Sequence, residues 1–252
     1  MKHDVVIVSG AAGGIGRAVA ERLARKQICQ LVLCDVDSQG LEYVVESLPG
    51  AGHQSFVVDV GCEASVRGLF DRLESQGLQA SALANCFGIS PVGENGDRIG
   101  LDQTSVDLWN RVFQVNSTGV FLMCQAFLSQ RAIRDNNLPA RIVNVSSAAA
   151  QLGGYRSCPA YIASKAAVIA LTKSIARDYA DYGVLANSVC PGLIDTQMFR
   201  QGCPSDNVAS RVPVGRLGEV EDVAGAIEFL LSPAASYITG ASIDVNGGYR
   251  MA

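Results

Sequence analysis

The sequence predicts an α/β protein, a single doubly wound domain with a mostly parallel seven-stranded sheet and helices on both faces. Short β-branched and apolar runs alternate along the chain with longer segments whose apolar residues recur at helical spacing. A glycine-rich segment at 9–18, SGAAGGIGRA, follows the first apolar run and opens the first helical segment. No linker, repeat or low-complexity tract divides the chain, so we expect one domain over 1–252.

Strands are predicted where short apolar runs end in glycine, asparagine or a carboxylate, as buried parallel strands do. The first run, VVIV, ends in Ser9 and Gly10, and the last, SIDV, is followed by Asn246 and two glycines. The predicted strands cover 5–8, 31–34, 55–58, 82–86, 141–145, 185–189 and 242–245.

Helices are predicted where apolar residues recur every three or four positions, as Ile15, Val19 and Leu23 do. The longest uninterrupted segment has Pro159 at its start and Gly183 just past its end, the positions that helices favour for these residues. The predicted helices cover 15–26, 41–47, 64–74, 105–133 with a break near Gly119, 159–182 and 220–231. The long irregular stretch is 193–218, which we expect to be a substrate lid.

Composition and charge argue against several classes of function. The net charge of −4 and the absence of clustered Lys or Arg disfavour nucleic-acid binding. The first apolar run is shorter than that of a secretion signal, and no apolar stretch is expected to reach the ~18–20 residues that span a bilayer. We therefore expect a cytoplasmic protein that acts on a small molecule, without a membrane partner.

Cysteine and histidine usage disfavours disulfide, metal and histidine chemistry. The eight cysteines form no CxxC pair, and several fall in strand-like runs, so we expect buried, reduced thiols. The two histidines, His3 and His53, lie outside any motif. We expect neither a Ser/His/Asp triad nor a metal site, which leaves acid–base chemistry to other side chains.

The glycine-rich segment has the spacing Gly10-x-x-x-Gly14-x-Gly16 between a strand and a helix. Glycines let the backbone approach a pyrophosphate closely, and the start of a helix offers free N–H groups. The alternative is an ordinary tight strand–helix turn. Asp35 ends the second strand, where a carboxylate can accept hydrogen bonds from ribose hydroxyls and repel a 2′-phosphate. This favours NAD over NADP, although Asp35 in CDVDSQG is also typical of a turn.

Tyr161 and Lys165 lie one helical turn apart among small residues. A tyrosine has a pKa of about 10, and an adjacent ammonium group lowers the pKa of the phenol. The pair would then supply a general acid or base near neutral pH. Alternatively, Tyr161 packs under a neighbouring helix while Lys165 extends to water.

The order GAAGGIG at 10–16, VNVSS at 143–147 and YIASK at 161–165 closely resembles the short-chain dehydrogenase/reductase family over nearly the whole chain. The resemblance implies a Rossmann-type fold with Tyr161 as acid/base and Lys165 lowering its pKa. It implies that Ser147 holds the substrate oxygen and that Asn116 anchors a water in a proton relay. The cofactor contacts that residues and resemblance together predict are Gly10, Gly14, Ile15, Gly16, Asp35, Asp59, Val60, Asn85, Gly88, Tyr161, Lys165, Pro191, Gly192, Ile194 and Thr196.

The chain departs from the family pattern at two places. The family commonly has Asn-Asn-Ala-Gly after the fourth strand, where this chain has Cys86 and Phe87 between Asn85 and Gly88. The bulkier Phe87 should alter the floor of the cofactor site. The family serine usually lies thirteen residues before the tyrosine, whereas Ser147 lies fourteen before it, so Ser146 remains an alternative.

The predicted function is NAD-dependent interconversion of a polyol, sugar or secondary alcohol with its carbonyl compound, by a homotetramer. The alternatives are a 3-oxoacyl thioester reductase of the same family and a catalytically silent dinucleotide-binding regulator. The substrate pocket is expected along 149–158 and 193–212, where Arg156 or Arg200 would hold an anionic substrate or, alternatively, lie solvated at the surface. The side chains offered by these stretches are Gln151, Tyr155, Arg156, Met198, Phe199 and Arg200.

Overall fold

The computed structural model describes residues 4–27, 29–132, 139–202 and 208–251. His3, Cys203 and the predicted helix end at 133 lie outside the described residues. Seven parallel strands in the described part of the chain form one sheet with the order β3-β2-β1-β4-β5-β6-β7. The strands are β1 (Asp4–Ser9), β2 (Cys29–Asp35), β3 (Gln54–Val57), β4 (Ala80–Asn85), β5 (Ala140–Val145), β6 (Val184–Pro191) and β7 (Ser242–Val245).

The strand order reverses between β1 and β4, because β2 and β3 lie on one side of β1 and the later strands on the other. In open parallel sheets, ligands bind beyond the carboxyl ends of the strands at such a reversal. The predicted fold is confirmed, and every strand pair is parallel rather than most of them.

Helices cover both faces of the sheet. The described helices are α1 (Gly14–Arg25), α2 (Ser38–Ser47), α3 (Glu63–Ser75), α4 (Val106–Phe113), α5 (Gly119–Ala132), α6 (Ala149–Leu152), α7 (Pro159–Tyr179), α8 (Gln197–Gln201) and α9 (Val220–Leu231). One core packs α3, α5 and α7 against the sheet, with Phe70, Phe127 and Val168 among its buried residues. The other packs α1, α2 and α9, with Val19 and Ile227 buried in it. The apolar stripes that predicted these helices are therefore the faces that meet the sheet.

The predicted break near Gly119 is a π-helical turn, Gln114–Thr118, that separates α4 from α5. The predicted helix 159–182 ends as a 3₁₀ turn, Ala180–Tyr182, followed by Gly183 at a positive φ of 73°. The short helices α6 and α8 were not predicted. A second long irregular segment, 86–105, was also missed, although its glycines and Pro91 are typical of a loop.

One helical stretch corrects the expectation that nothing in the chain could cross a membrane. Residues Val106–Gln130 are long and apolar enough by length and composition, with a mean hydropathy of 1.2. Buried helices in the core of a protein meet the same criterion, and Met123 and Phe127 of this stretch are fully buried against the sheet. The apolar character of this stretch is therefore accounted for by core packing.

The cysteines are mostly but not all buried. Cys34, Cys124, Cys158 and Cys190 are buried, whereas Cys62 is exposed, which is contrary to the expectation for this residue. Burial raises the pKa of Cys124 to about 12 and that of Cys190 to about 11, so both thiols stay protonated at neutral pH.

Candidate active site

The turn between β1 and α1 contains glycines whose backbone is not covered by side chains. Gly10 has a positive φ of 76°, and a Cβ added there would lie 2.7 Å from the backbone nitrogen of Phe87. A Cβ at Gly16 would lie 2.1 Å from the carbonyl oxygen of Gly10. Neither position tolerates a side chain, and Gly10, Gly13 and Gly14 face the cleft without side chains. This arrangement fits a dinucleotide, because bare N–H groups at a helix start bind pyrophosphate.

The carboxylate of Asp35 is held at the end of β2 by backbone donors. Its Oδ2 accepts from Ala12 N at 3.0 Å, and its Oδ1 accepts from Val36 N at 2.7 Å and from Asp37 N at 3.2 Å. The residue is thus part of a turn and also lines the cleft, which reconciles the two interpretations of the sequence. A fixed carboxylate at this place suits the hydroxyls of an adenosine ribose.

Most of the predicted contacts surround one cleft of about 910 Å³ at the carboxyl edge of the sheet. The cleft-lining residues among them are Gly10, Gly14, Ile15, Asp35, Asp59, Val60, Gly88, Ser147, Tyr161, Lys165, Pro191, Gly192, Ile194 and Thr196. Gly16, Asn85 and Asn116 do not line it. Gly16 packs against Gly10, while Asn85 and Asn116 are buried, so these three act on the cleft only through their neighbours.

Tyr161 lies in the first turn of α7 and lines the cleft, where its phenol interacts with the side chain of Ser147. Ser147 follows β5, and its Oγ also accepts from Ala149 N at 3.1 Å. Ser146 is oriented differently, because its Oγ donates to the backbone oxygen of Lys165 at 2.7 Å. Of the two serines, Ser147 is the one that pairs with Tyr161.

The pKa of Tyr161 is raised, mainly by burial, whereas the interaction with Ser147 acts in the opposite direction. The sequence predicted that Lys165 lowers the pKa of Tyr161. This direction is wrong, because the pKa of Tyr161 is raised. Burial is decisive because the ionised phenolate loses its hydration. The phenol is therefore held in its protonated form at neutral pH.

Lys165 is buried one turn after Tyr161, with only 3% of its surface exposed. Its Nζ donates to Val145 O at 2.8 Å and to Phe87 O at 3.2 Å. Burial lowers the pKa of Lys165 to about 8, although Cys86 and Cys190 nearby oppose the shift. The alternative in which Lys165 extends to water is therefore excluded.

Asn116 lies in the π-helical turn and fastens the loop after β4. Its Oδ1 accepts from Ile89 N at 2.8 Å, and its Nδ2 donates to Ile89 O at 2.9 Å and to Ser164 Oγ at 3.1 Å. Gly88 lies between this amide and Lys165, since a Cβ there would be 3.0 Å from Lys165 Nζ and 3.3 Å from Asn116 Oδ1. π-Helical turns recur at functional sites, and here the turn brings an amide beside the lysine.

A chain of buried polar side chains, which the sequence analysis missed apart from Asn85, joins the glycine turn to α7. Ser9 Oγ donates to Asn85 Oδ1 at 2.8 Å, and Asn85 Nδ2 donates to Asn144 Oδ1 at 2.8 Å. Asn144 Nδ2 then donates to Thr172 Oγ1 at 2.9 Å. Satisfied buried networks are rigid, so this one fixes α7 relative to β1, β4 and β5. The signal in the sequence was a polar residue inside each apolar run.

The side chain of Phe87 fills space that a glycine leaves open. A Cβ on Gly119 would lie 3.2 Å from Cε2 of Phe87 and 3.0 Å from Cγ2 of Val60. The ring therefore packs at the end of the π-helical turn, next to a residue that lines the cleft. This is how the floor of the site accommodates a side chain larger than alanine.

The remaining part of the cleft differs from the predicted substrate pocket at two residues. Arg200 lies outside the lining and pairs with Asp195, with contacts of 2.8 and 2.9 Å. Gln151 also lies outside it and donates to Cys190 Sγ at 3.5 Å. Val208 and Arg211 line the cleft and lie within the predicted stretch 193–212. The loop 86–105, α4 and the C-terminal segment contribute further lining residues that were not predicted. These residues are Ile89, Ser90, Pro91, Val92, Leu108, Arg111 and Tyr249.

Comparisons with known proteins agree with this geometry. Residues 10–250 match a family model described as enoyl-(acyl carrier protein) reductase. The chain is 37% identical to (3R)-3-hydroxyacyl-CoA dehydrogenase from Canis lupus familiaris, over 100% of this chain and 98% of that protein. It is 38% identical to cis-4-hydroxycyclohexanecarboxylate dehydrogenase from Sinomonas cyclohexanicum, over 97% and 96%.

A solved structure has a closely similar fold. The 3-ketoacyl-(acyl-carrier-protein) reductase from Brucella melitensis, complexed with NADH, superposes with a TM-score of 0.89 at 27% identity. The match covers 99% of each chain. The relatives are named dehydrogenases and reductases that act on CH–OH groups, and the Brucella melitensis reductase is complexed with NADH. This chain therefore belongs to the short-chain dehydrogenase/reductase family and is an oxidoreductase of that kind.

Proposed function

We propose that this protein uses NAD to interconvert a secondary alcohol and the corresponding ketone. One observation carries the proposal: the side chains of Tyr161 and Ser147 interact with each other at the cleft, one helical turn from the buried Lys165. Two hydroxyls at one point can hold a single substrate oxygen, as an alcohol or a carbonyl. A silent regulator would have no use for this arrangement.

The preference for NAD is supported by the charge at the end of β2. Asp35 lines the cleft with its carboxylate fixed by three backbone N–H groups, and residue 36 is Val rather than a cation. A 2′-phosphate beside this carboxylate would be repelled, whereas two ribose hydroxyls would donate to it. The similar reductase from Brucella melitensis was crystallised with NADH, which is consistent with this choice.

When bound, the nicotinamide dinucleotide supplies the hydride acceptor for oxidation and the hydride donor for reduction. In oxidation, Tyr161 must first lose its proton, and the ionised Oη then takes the hydroxyl proton while Ser147 Oγ holds the same oxygen. In reduction, both hydroxyls donate to the carbonyl oxygen, and Tyr161 delivers its proton to it. A positive charge on the buried Lys165, one helical turn away, favours the phenolate once it has formed, although burial outweighs this effect on the pKa of Tyr161. Asn116 holds the neighbouring loop in place.

A second candidate is a 3-hydroxyacyl thioester as the alcohol. It is favoured by similarity over the whole chain to (3R)-3-hydroxyacyl-CoA dehydrogenase from Canis lupus familiaris. Such a substrate is itself a secondary alcohol, so the chemistry at Tyr161 would be unchanged. The thioester differs from a small secondary alcohol in its much larger remaining part, which would have to extend beyond the cleft.

The experiment that tests the proposed function measures absorbance at 340 nm with NAD and, separately, NADP. The panel contains polyols, neutral secondary alcohols, hydroxy acids and 3-hydroxyacyl-CoA thioesters. We expect reduction of NAD with at least one secondary alcohol and at least tenfold lower kcat/KM with NADP. Tight NADH binding without turnover of any alcohol would contradict the proposal.

The homotetramer and the cytoplasmic location stay predictions. The homotetramer is what the resemblance to the family implies, and light scattering on the purified protein measures the oligomeric state directly.

A further inference from the structure

The charges that line the cleft are divided between its two ends. The acidic residues Asp35, Asp37 and Asp59 lie at or just after the ends of β2 and β3, where the adenosine is expected. The arginines Arg111, Arg156 and Arg211 are contributed by α4, the α6–α7 loop and the segment after α8, and no other described lining residue carries a carboxylate. The substrate end of the cleft is therefore cationic, which favours an anionic ligand there.

Arg211 is held at this end by the C-terminal segment. It closes the 3₁₀ turn Ala209–Arg211, and the next residues pack on the segment that leads to Tyr249. Val214 N donates to Gly247 O at 3.1 Å, and a Cβ on Gly247 would lie 2.6 Å from Cγ1 of Val212. The backbone of Arg211 is thus fixed by contacts to a second segment that lines the same cleft.

The guanidinium of Arg211 has no ion pair or hydrogen bond to any described residue, and the residue is exposed to solvent. Arg156 differs, because its guanidinium donates to Gly202 O at 2.9 Å and so fastens the lid to the α6–α7 loop. Arg200 pairs with Asp195 outside the cleft. Arg111 of α4 also has no ion pair or side-chain hydrogen bond to a described residue, so Arg111 and Arg211 are the lining arginines whose donors are available to a ligand. Of these two, Arg211 is the one whose backbone is fixed by the C-terminal segment that leads to Tyr249.

The wall of the cleft near Arg211 is apolar. The rings of Tyr155 and Tyr249 meet edge to face, with centroids 6.3 Å apart, and both residues line the cleft. Phe199 and Val208 of the lid line it as well. A ligand that reaches from Tyr161 to Arg211 therefore passes apolar side chains before it meets the cation.

We propose that Arg211 binds an anionic oxygen group of the substrate, a carboxylate or a phosphate, that an apolar segment joins to the carbon bearing the hydroxyl. The inference rests on the proposed function, because the Tyr161 and Ser147 hydroxyls define where that carbon lies. Guanidinium binds both anions in a planar, bidentate geometry, which lysine does not reproduce. Arg211 is thus a specificity-determining residue.

The test compares probes that differ in charge. 4-Hydroxycyclohexanecarboxylate is matched with its methyl ester, and 3-hydroxybutyrate with its methyl ester and with 3-hydroxybutyryl-CoA. Each is assayed by NAD reduction with the wild-type protein, Arg211→Gln, Arg211→Lys and the control Arg67→Gln. Arg67 lies on α3 outside the cleft, in an exposed pair with Glu63, and its substitution removes the same charge.

We expect Arg211→Gln to lower kcat/KM for the preferred anionic probe by about tenfold to a hundredfold, mainly through KM. The methyl esters should be unaffected, NADH affinity should not change, Arg211→Lys should recover part of the loss, and Arg67→Gln should behave as wild type. A preferred free acid identifies a carboxylate, and a preferred CoA thioester identifies a phosphate.

Two results would overturn the inference in distinguishable ways. If neutral alcohols are oxidised at least as well as anionic ones, with Arg211→Gln equal to wild type, Arg211 does not select the substrate, while the proposed function stands. If NADH binds but no alcohol of either kind is oxidised, the proposed function fails, and the role of Arg211 fails with it.

Discussion

The cofactor end and the substrate end of the cleft are built in different ways. At the cofactor end, short strand-to-helix turns hold the site through backbone hydrogen bonds, such as those from Gly10 N and Ala11 N to Cys34 O. At the substrate end, the loop 86–105, the lid and the C-terminal segment meet through side chains such as Tyr155 and Tyr249. Tyr161, Ser147 and Lys165 lie between the two.

This difference separates what the family shares from what each member selects. Backbone turns at strand ends are fixed by the sheet, so they suit a cofactor that many relatives have in common. Loops and side chains change without disturbing the sheet, and they are where specificity usually resides. Substitutions at the two ends should therefore have separable effects on cofactor and substrate.

The largest effect is expected between the two ends, at Tyr161. Tyr161→Phe keeps the ring and removes the group that exchanges a proton with the substrate, so kcat should fall by about 10²–10⁴-fold. NADH affinity, measured by fluorescence titration, should change less than about threefold, since the phenol is only one of many cleft contacts.

Tyr155→Phe is the matched control for this prediction. Tyr155 lines the same cleft and packs against Tyr249 through its ring, which phenylalanine retains. Its kcat should stay within about threefold of wild type, because removal of an exposed hydroxyl costs little. Substantial turnover by Tyr161→Phe would show that the proton is exchanged elsewhere.

The next effect is expected at the cofactor end. Asp35→Asn removes the charge that accepts from the ribose and repels a 2′-phosphate, so the preference for NADH over NADPH should fall by about tenfold to a hundredfold. The ratio of the two dissociation constants measures this preference. The relative kcat/KM values of anionic and neutral alcohols should not change, because Arg211 governs those.

Asp37→Asn provides the control, since Asp37 also lines the cleft and loses the same charge. Its Oδ1 accepts from Gly40 N at 3.0 Å as the N-cap of α2, a role that asparagine fills equally well. The cofactor preference of this variant should remain near that of wild type. Equal effects at Asp35 and Asp37 would show that the general charge of this end, rather than the fixed carboxylate of Asp35, selects the cofactor.

The smallest effect concerns pH. Ketone reduction needs a protonated Tyr161, and burial raises the pKa of this phenol, so the rate should be level between pH 6 and about 7.5. Above that range the buried Lys165, with a pKa of about 8, loses its proton first, and the rate should fall to about half near pH 8. Alcohol oxidation should instead rise with pH, because it needs Tyr161 to lose its proton. A reduction rate that falls between pH 6 and 7 would contradict this assignment.

The amino-acid sequence determined the sheet, its helices and the centre of the site, because these depend on short-range patterns. Apolar runs and stripes placed all seven strands and the long helices within a few residues of their observed bounds. Tyr161 and Lys165 are one turn apart on α7, so their proximity followed from helical geometry alone.

Only the tertiary structure decided which side chains of distant segments meet. It showed Asn85 hydrogen-bonded within the sheet instead of lining the cleft, and Ser147 rather than Ser146 beside Tyr161. It also brought Arg211 and Tyr249 to the substrate end and raised the pKa of Tyr161 by burial. Burial and contacts between segments remote in the chain arise from how helices and loops pack on the sheet, which no local pattern of residues specifies.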